Sequence, residues 1–346
     1  MKRTILAGET ARAVYEQVLR ADAERRGVRF DAGETAAFAR QFENIEAELY
    51  RYVYGPEAQW RTIFPVVSAA NWAEFSTHRM INRVGEADEV DDLATDFPHV
   101  EIVGEEATQP IRSYGASFSY SIDDVRKALY AGMDITSEKA LVAREAIERK
   151  VDRVMAFGDA RMNIPSFVNN SSVPAVFNAF TPVTASTKTS GTQWNAAANA
   201  GDVTKILQDI EAMVIAIRSA TLNGFGPAAK VDLIVGTSGW NFLMETAMKT
   251  TNFVRETYGS YILANMPSIE AIKYWPQLDT VGAGGKERIM MKLTDRRVAG
   301  GLLPVDFEMT PPEARGFGWR VNARSKSGGV VVRYPKGVAW MDGTMV

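Results

Sequence analysis

Residues 134–170 read DITSEKALVAREAIERKVDRVMAFGDARMNIPSFVNN, the longest helical pattern in the chain followed by an abrupt stop. Leu141, Ile147, Val151, Val154 and Met155 recur near one face at the 3.6-residue spacing of an α-helix. Lys139, Arg144, Glu145, Glu148, Arg149, Lys150, Asp152 and Arg153 fall on the other faces. Glu145 and Arg149 form a favourable i,i+4 pair. The pattern predicts an amphipathic rod of about 20 residues, roughly 30 Å long at ~1.5 Å per residue. Gly158-Asp159 ends it, and Pro165 and the pair Asn169-Asn170 keep the succeeding segment out of a helix. Any fold for this chain must seat a stiff helix that gives way at once to irregular backbone.

The flanking segments have different textures. ETARAVYEQVLRADAERRG, up to Gly27, and DAGETAAFARQFENIEAELYRYVYG, up to Gly55-Pro56, both read as amphipathic helices, the second through Phe38, Phe42, Ile45 and Leu49. They predict a helical arm over residues 1–60, packed on its own domain or on a neighbour. From Trp60 to Ser121 polar and apolar residues alternate, as in strands. No Lys or Arg occurs between Arg83 and Arg112, while Glu86, Asp88, Glu89, Asp91, Asp92, Asp96, Glu101, Glu105 and Glu106 do. That acidic run sits in a pattern that predicts a long β-hairpin with little core of its own. Isolated two-stranded hairpins are marginal in water, so an outside support is expected.

Ser121 and Asp124 have the spacing of a capping box for a short helix ending near Gly132. Residues 160–200 are rich in Asn, Ser, Thr, Pro and Ala and read as an irregular, functional or mobile span. Order returns with an amphipathic helix at 202–220 through Ile206, Leu207, Ile210, Met213, Val214 and Ile217. A buried strand KVDLIVG, a helix capped by Thr237, a second short helix PSIEAIKYWPQLDT and a strand ERIMMKL come next. Residues 201–300 therefore read as an α/β lobe. The end, from about residue 301, reads as strands broken by Pro-Pro, Gly-x-Gly, Gly-Gly and Pro-Lys-Gly turns.

Composition removes most chemistry. The 346 residues include no cysteine and two histidines, His78 and His99. Disulfides, thiol nucleophiles, cysteine-held clusters and a histidine-rich metal site are excluded within one chain. Both histidines lie in the acidic extension, a poor setting for a buried triad. VGAGGK at 281–286 lacks phosphate-loop spacing and reads as a surface turn. KTSG at 188–191 has no Ser-x-x-Lys beside it. A net charge of −3 gives no sign of a chain built to grip nucleic acid. No apolar run is long enough to span a membrane, and the N-terminus meets Glu9 too early for a signal peptide, so a soluble, intracellular product without cofactor or metal is expected.

The order of these segments resembles the major capsid proteins of tailed phages, the Hong Kong 97-like fold shared with encapsulin shells. The helix ending at Gly158-Asp159 and followed by IPSFVNN is similar to that family's spine helix and the segment after it, although Pro165-Ser166 stands where glycine is usual. PAAKVDLIVGTSGWNFLMET is similar to the opening of its apical domain, and GWRVNARSKSGGVVVRYPKGVAWMDG to its closing strands. The resemblance implies an α+β fold with an N-terminal arm (1–60), a β-hairpin E-loop (61–120), a peripheral domain with the spine helix (121–200), an apical domain (201–300) and returning peripheral strands (301–346). It implies hexamers and pentamers closing into an icosahedral shell around double-stranded DNA, with scaffold, portal and decoration proteins as further partners, assembled in the bacterial cytoplasm as part of the virion. An encapsulin-type compartment around a cargo enzyme is the alternative, and a soluble α/β enzyme a third. The arm, with seven Lys/Arg against four Asp/Glu in residues 1–30, tilts toward the phage reading, and it holds no recognisable scaffolding segment.

Two expectations are specific to this chain. Some members of the family weld their shells with Lys–Asn isopeptide bonds from an E-loop lysine. Here no lysine occurs between Lys2 and Lys127, so no such mesh is expected from that loop. The stretch Lys286 to Lys336 carries eleven Lys/Arg against five Asp/Glu. Arg315, Arg320, Arg324, Lys326 and Arg333 are expected to meet Glu86, Asp88, Glu89, Asp91 and Asp92 of an adjacent subunit, setting register more than strength.

Overall fold

The computed structural model describes residues 58–85, 99–130, 134–168, 180–184, 194, 203–222, 224–226, 228–247 and 256–342. These all belong to one compact unit, Pro56–Val346. The expected helical arm, the acidic tip at 86–98 and most of the irregular span after Val168 lie outside the described residues.

In chain order the elements are α1 (Trp60–Ile63), β1 (Val66–Val67), β2 (Phe75–Val84), β3 (Glu101–Pro110), β4 (Arg112–Ser121), α2 (Ile122–Tyr130) and α3 (Ile135–Phe157). Then come β5 (Thr181–Val183), α4 (Val203–Ala220), β6 (Val231–Val235), α5 (Thr237–Glu245), α6 (Tyr258–Asn265), β7 (Ile269–Tyr274) and β8 (Arg288–Leu293). The chain ends with β9 (Ala299–Leu302), β10 (Val305–Met309), β11 (Glu313–Arg315), β12 (Gly318–Ser327), β13 (Gly329–Val332) and β14 (Val338–Asp342).

The long helix is where the periodicity put it. Asp134 caps it by accepting from the backbone N–H groups of Thr136 and Ser137. Ile147, Val151, Val154 and Met155 are buried as expected, but Leu141 is 46% exposed and Ala143 takes the inward place near the start. The expected Glu145–Arg149 pair is replaced by Arg144–Glu148 at 3.2 Å, because Arg149 turns back to the carbonyl of Glu145. Gly158 ends the helix at φ +63°, and a Cβ there would lie 2.3 Å from the carbonyl oxygen of Ile164. Only glycine permits this reversal. The chain folds back so that the N–H groups of Phe167 and Val168 both donate to the carbonyl of Ala156.

Asp152 is the main surprise of this helix. Expected on the charged surface, it is 4% exposed. Its carboxylate accepts from the Trp60 backbone N–H (3.0 Å), the Trp275 indole (3.2 Å) and the Gln277 amide (2.9 Å). Burial pushes its pKa up, and these donors pull against that shift. One side chain thus ties α3 to the segment entering at α1 and to the loop after β7. Phe64, Phe167 and Trp275 pack edge-on and tilted around the same junction.

The described strands form three small sheets and a five-stranded one. β1 runs parallel to β9, and β9 antiparallel to β13. Gly301 in β9 lets Trp60 approach, since a Cβ there would sit 2.5 Å from the indole ring. β4 pairs with β12 along its whole length, while β10 and β11 pair with the other edge of β12. The five-stranded sheet has the order β5-β14-β8-β6-β7, so the alternation expected over 201–300 draws in one strand from residues 181–183 and one from 338–342. β6 is buried throughout, as expected, and β8 is too, including the charged Asp232, Arg288 and Lys292. α4 packs Ile206, Ile210, Met213, Val214 and Ile217 inward as expected, while Leu207 is only partly buried.

Two local expectations fail for identifiable reasons. The segment PSIEAIKYWPQLDT is not a helix: it forms β7 and then a 3-10 turn at Pro276–Leu278. The pairing of β7 with β6 contains a register shift after Ile269, so Ile269 and Ile272, three apart, are both buried. Thr237 does not cap α5. The cap position is Gly236, and distant carboxylates do the work: Asp279 accepts from the Thr237 N–H at 2.6 Å, and Glu287 from the N–H groups of Gly236 (2.7 Å) and Gly239 (2.9 Å). The Ser121–Asp124 capping box of α2 is present in both directions, at 3.0 and 3.1 Å.

Candidate interaction surface

The hairpin β2–β3 forms a two-stranded sheet of its own, paired from Phe75↔Pro110 to Val84↔Glu101. Its base is anchored, for Gln109 is buried and donates to the carbonyls of Gly328 and Val330. Farther out, one face carries a polar ladder of Thr77–Thr108 (2.9 Å) and Arg79–Glu106 (2.6 Å). The same strands expose Phe75 (56%), Ile81 (68%) and Ile102 (70%). Apolar side chains on a two-stranded sheet gain nothing from water and mark a surface that expects cover.

The β4–β12 pair presents the second surface. Direct pairing fixes which residues share a face. Tyr114, Ala116 and Phe118 share one face with Ser325, Ala323 and Val321. The other face sets Ser113, Gly115, Ser117 and Ser119, all exposed, beside Lys326, Arg324, Asn322 and Arg320. The period of two along β12 thus brings three of the five expected basic residues into a row beside a lane of small side chains.

Their environments differ. Arg324 is paired with Glu308 at 2.8 Å. The Lys326 ammonium donates to the carbonyl of Asn71 at 2.6 Å. Arg333 lies beyond β13, donates to the carbonyl of Arg296 at 3.2 Å, and opposes protonation of His78, whose pKa burial already lowers. Arg320 donates to the Ser117 hydroxyl at 3.1 Å, and Arg315 stands exposed at the end of β11. Glu86, Asp88, Glu89, Asp91 and Asp92 lie outside the described residues.

At the Ser121/Gly318 end of this pair a groove of about 610 Å³ is lined by Ser117, Ser119, Arg315, Phe317, Trp319 and Arg320, among others. Trp319 stacks on Tyr120 at 5.6 Å, and Phe317, on the β11–β12 turn, is 88% exposed. The sequence had singled out the arginines by charge. It gave no signal for the aromatic part, because exposure of Phe317 is set by the tight turn at Gly316, φ +59°. Catalytic groups do not converge here or elsewhere among the described residues. Among the described residues, both ring nitrogens of His78 are buried without a hydrogen-bond partner, and no group of three or more potential metal ligands lies together. No described helix is long and apolar enough to cross a membrane.

The fold is α+β and of the Hong Kong 97-like capsid kind. It superposes on the capsid of Myoviridae phage XM1 with a TM-score of 0.69 at 15% identity, covering 88% of this chain and 98% of that one. The capsid of a native GTA particle gives 0.60 at 13% identity, covering 90% and 99%. Mycobacterium phage Ogopogo gives 0.55 at 12% identity, covering 88% and 98%. Identities this low speak for the fold alone. A search of curated protein sequences finds no match. Residues 85–344 match the Major capsid protein family, and the chain belongs to it.

Proposed function

We propose that this chain is the shell protein of a tailed phage, assembling through hexamers and pentamers into an icosahedral container for double-stranded DNA. In that reading β2–β3 is the extension that lies over a neighbouring subunit, α3 is the spine, and the five-stranded lobe is the apical domain. The basic residues on and near β12 meet the acidic tip of an adjacent copy. The observation that carries the reading is the hairpin itself: about 33 Å of paired strand, at ~3.3 Å per residue, with apolar side chains left in water by its own chain. A net charge of −3 suits a wall that holds DNA without binding it tightly. Membership of a capsid family favours the phage shell over a compartment for a cargo enzyme. Scaffold, portal and decoration proteins are partners to seek in the same virion.

Electron microscopy of the purified chain, with its mass from light scattering, tests this. Closed shells or capsomer rings are expected. A small discrete oligomer that never assembles, at any salt or with any scaffold, would leave the fold without the function.

A further inference from the structure

We propose that the base of the β2–β3 hairpin is an acid-sensitive joint: with the His78 ring neutral the hairpin lies on β13, and with the ring protonated it lifts off. The joint lies within one chain, so the inference stands apart from the shell reading.

The period of two along the strands shows which face of the hairpin meets the body. Ser76, His78 and Met80 are half-buried in β2, while Phe75, Thr77, Arg79 and Ile81 are exposed. On β3, Gln109 is buried and Ala107, opposite His78, is half-buried, whereas Glu106 and Thr108 are exposed. Gln109 ties this face to the start of β13 through the carbonyls of Gly328 and Val330. His78 lies on the same face two residues farther out, and among the described residues neither of its buried ring nitrogens has a hydrogen-bond partner. A neutral ring tolerates that site by its shape. An imidazolium carries two N–H donors and a charge, and needs acceptors or water. The surroundings offer no compensating charge. β13, GVVV, has no charged residue, and Arg333 directly after it opposes protonation. Glu105 shares the face of His78 but is exposed, and Glu106 turns to the other face, where it pairs with Arg79 at 2.6 Å. Asp295, beside the Arg296 whose carbonyl Arg333 engages, is held by Arg297 at 2.6 Å. Lifting the hairpin gives the charged ring water and distance from Arg333. Burial and Arg333 both lower the pKa of the docked ring, and on release it returns to the ordinary 6.5. The lifted state therefore binds the proton more readily. Docking is at full strength above pH 6.5 and weakens as pH falls through that value, by up to about tenfold in the equilibrium per pH unit.

The absence of cysteine allows site-specific spin labels. Ile81→Cys on the exposed face of the hairpin and Glu245→Cys at the exposed end of α5 are labelled together in the full chain. Dilution with unlabelled wild type makes the measured distance one within a single molecule, whatever its state of assembly. One narrow distance is expected at about pH 8, with a displaced population that grows roughly tenfold as pH falls from about 6.5 to about 5. His78→Gln keeps an uncharged side chain and is expected to hold the high-pH distance throughout. Arg333→Gln removes the repelling charge, raises the docked pKa and is expected to blunt the response. With two histidines in the chain, ring NMR of His99→Gln reads His78 directly, and titration below 6.5 is expected. Identical distances at both ends of the pH range, an equal response in His78→Gln, or a His78 ring titrating at or above 6.5 overturns the joint. If His78→Gln does not fold, the other two measurements decide: a displaced population that does not follow the ring's titration, or that Arg333→Gln leaves unchanged, overturns it as well.

Discussion

Replacing Asp152 by alanine removes the one acceptor shared by three segments that are distant in sequence. Two of its donors, the Trp60 backbone N–H and the Trp275 indole, belong to fully buried residues and have no water to turn to. Each buried donor left unpaired costs about 1–3 kcal/mol. The third, the Gln277 amide, is half-buried and can rehydrate, so it adds little. Against this stands the relief of removing a carboxylate whose burial already disfavours its charged form. The balance is a loss of about 2–4 kcal/mol, or roughly 3–7 °C in Tm for a unit of this size. Thermal unfolding of the unassembled chain measures it. Asp152→Asn keeps one oxygen for the two tryptophan donors, and Gln277 can rotate its own oxygen toward the new amide, so about half the loss is expected. An alanine variant as stable as the wild type would falsify the view that this carboxylate holds α3 to the strands around it.

The same residue gives a pH signature. Its folded pKa lies above the ordinary 3.8, so the folded state binds the proton more readily than the unfolded state. Its contribution to stability is therefore complete below the unfolded value and is lost as pH rises through the folded one. As pH is lowered from neutral toward 4, the stability difference between wild type and Asp152→Asn should move in favour of the wild type; a constant difference refutes the assignment. Gly158→Ala places a Cβ against the Ile164 carbonyl at positive φ, and a loss of about 2 kcal/mol or more in urea unfolding is expected. Arg324→Ala breaks an exposed pair with Glu308 and should change the stability of the unassembled chain by under about 1 kcal/mol in the same assay. Boiled shells should run as a single band on a denaturing gel, because no lysine lies between Lys2 and Lys127 to weld the extension to a neighbour.

The elements legible in the sequence are those whose pattern reports a local period. α3, α4, β6, β8 and the Ser121–Asp124 cap derive from spacing within a single segment, and most of their expected apolar positions are buried, whereas the burial of Asp152, Asp209, Asp232, Arg288 and Lys292 is not read from that spacing. The misreadings share a cause: a partner remote in sequence overrode the local pattern. PSIEAIKYWPQLDT reads as a helix because its pairing with β6, and the register shift in it, lie outside the segment. Thr237 looked like a cap because the true acceptors are 42 and 48–51 residues away. α6, built on Tyr258 and Gly259, carries no strong helix signal and depends on the Thr257–Ser260 capping box and on packing against α5.

The candidate surface divides the same way. Charge is a property of composition, so the contrast between an acidic stretch without lysine or arginine and a basic one near the end could be read from the sequence alone. So could the absence of thiol or histidine chemistry, the stiff helix and its glycine stop. Which cations remain available depended on tertiary structure, because Glu308, the Asn71 carbonyl and the Arg296 carbonyl approach Arg324, Lys326 and Arg333 only once the strands have paired. The burial of Asp152 was decided there too. A helix position is charged or apolar by sequence, but whether an aspartate faces water depends on the donors that other segments bring to it.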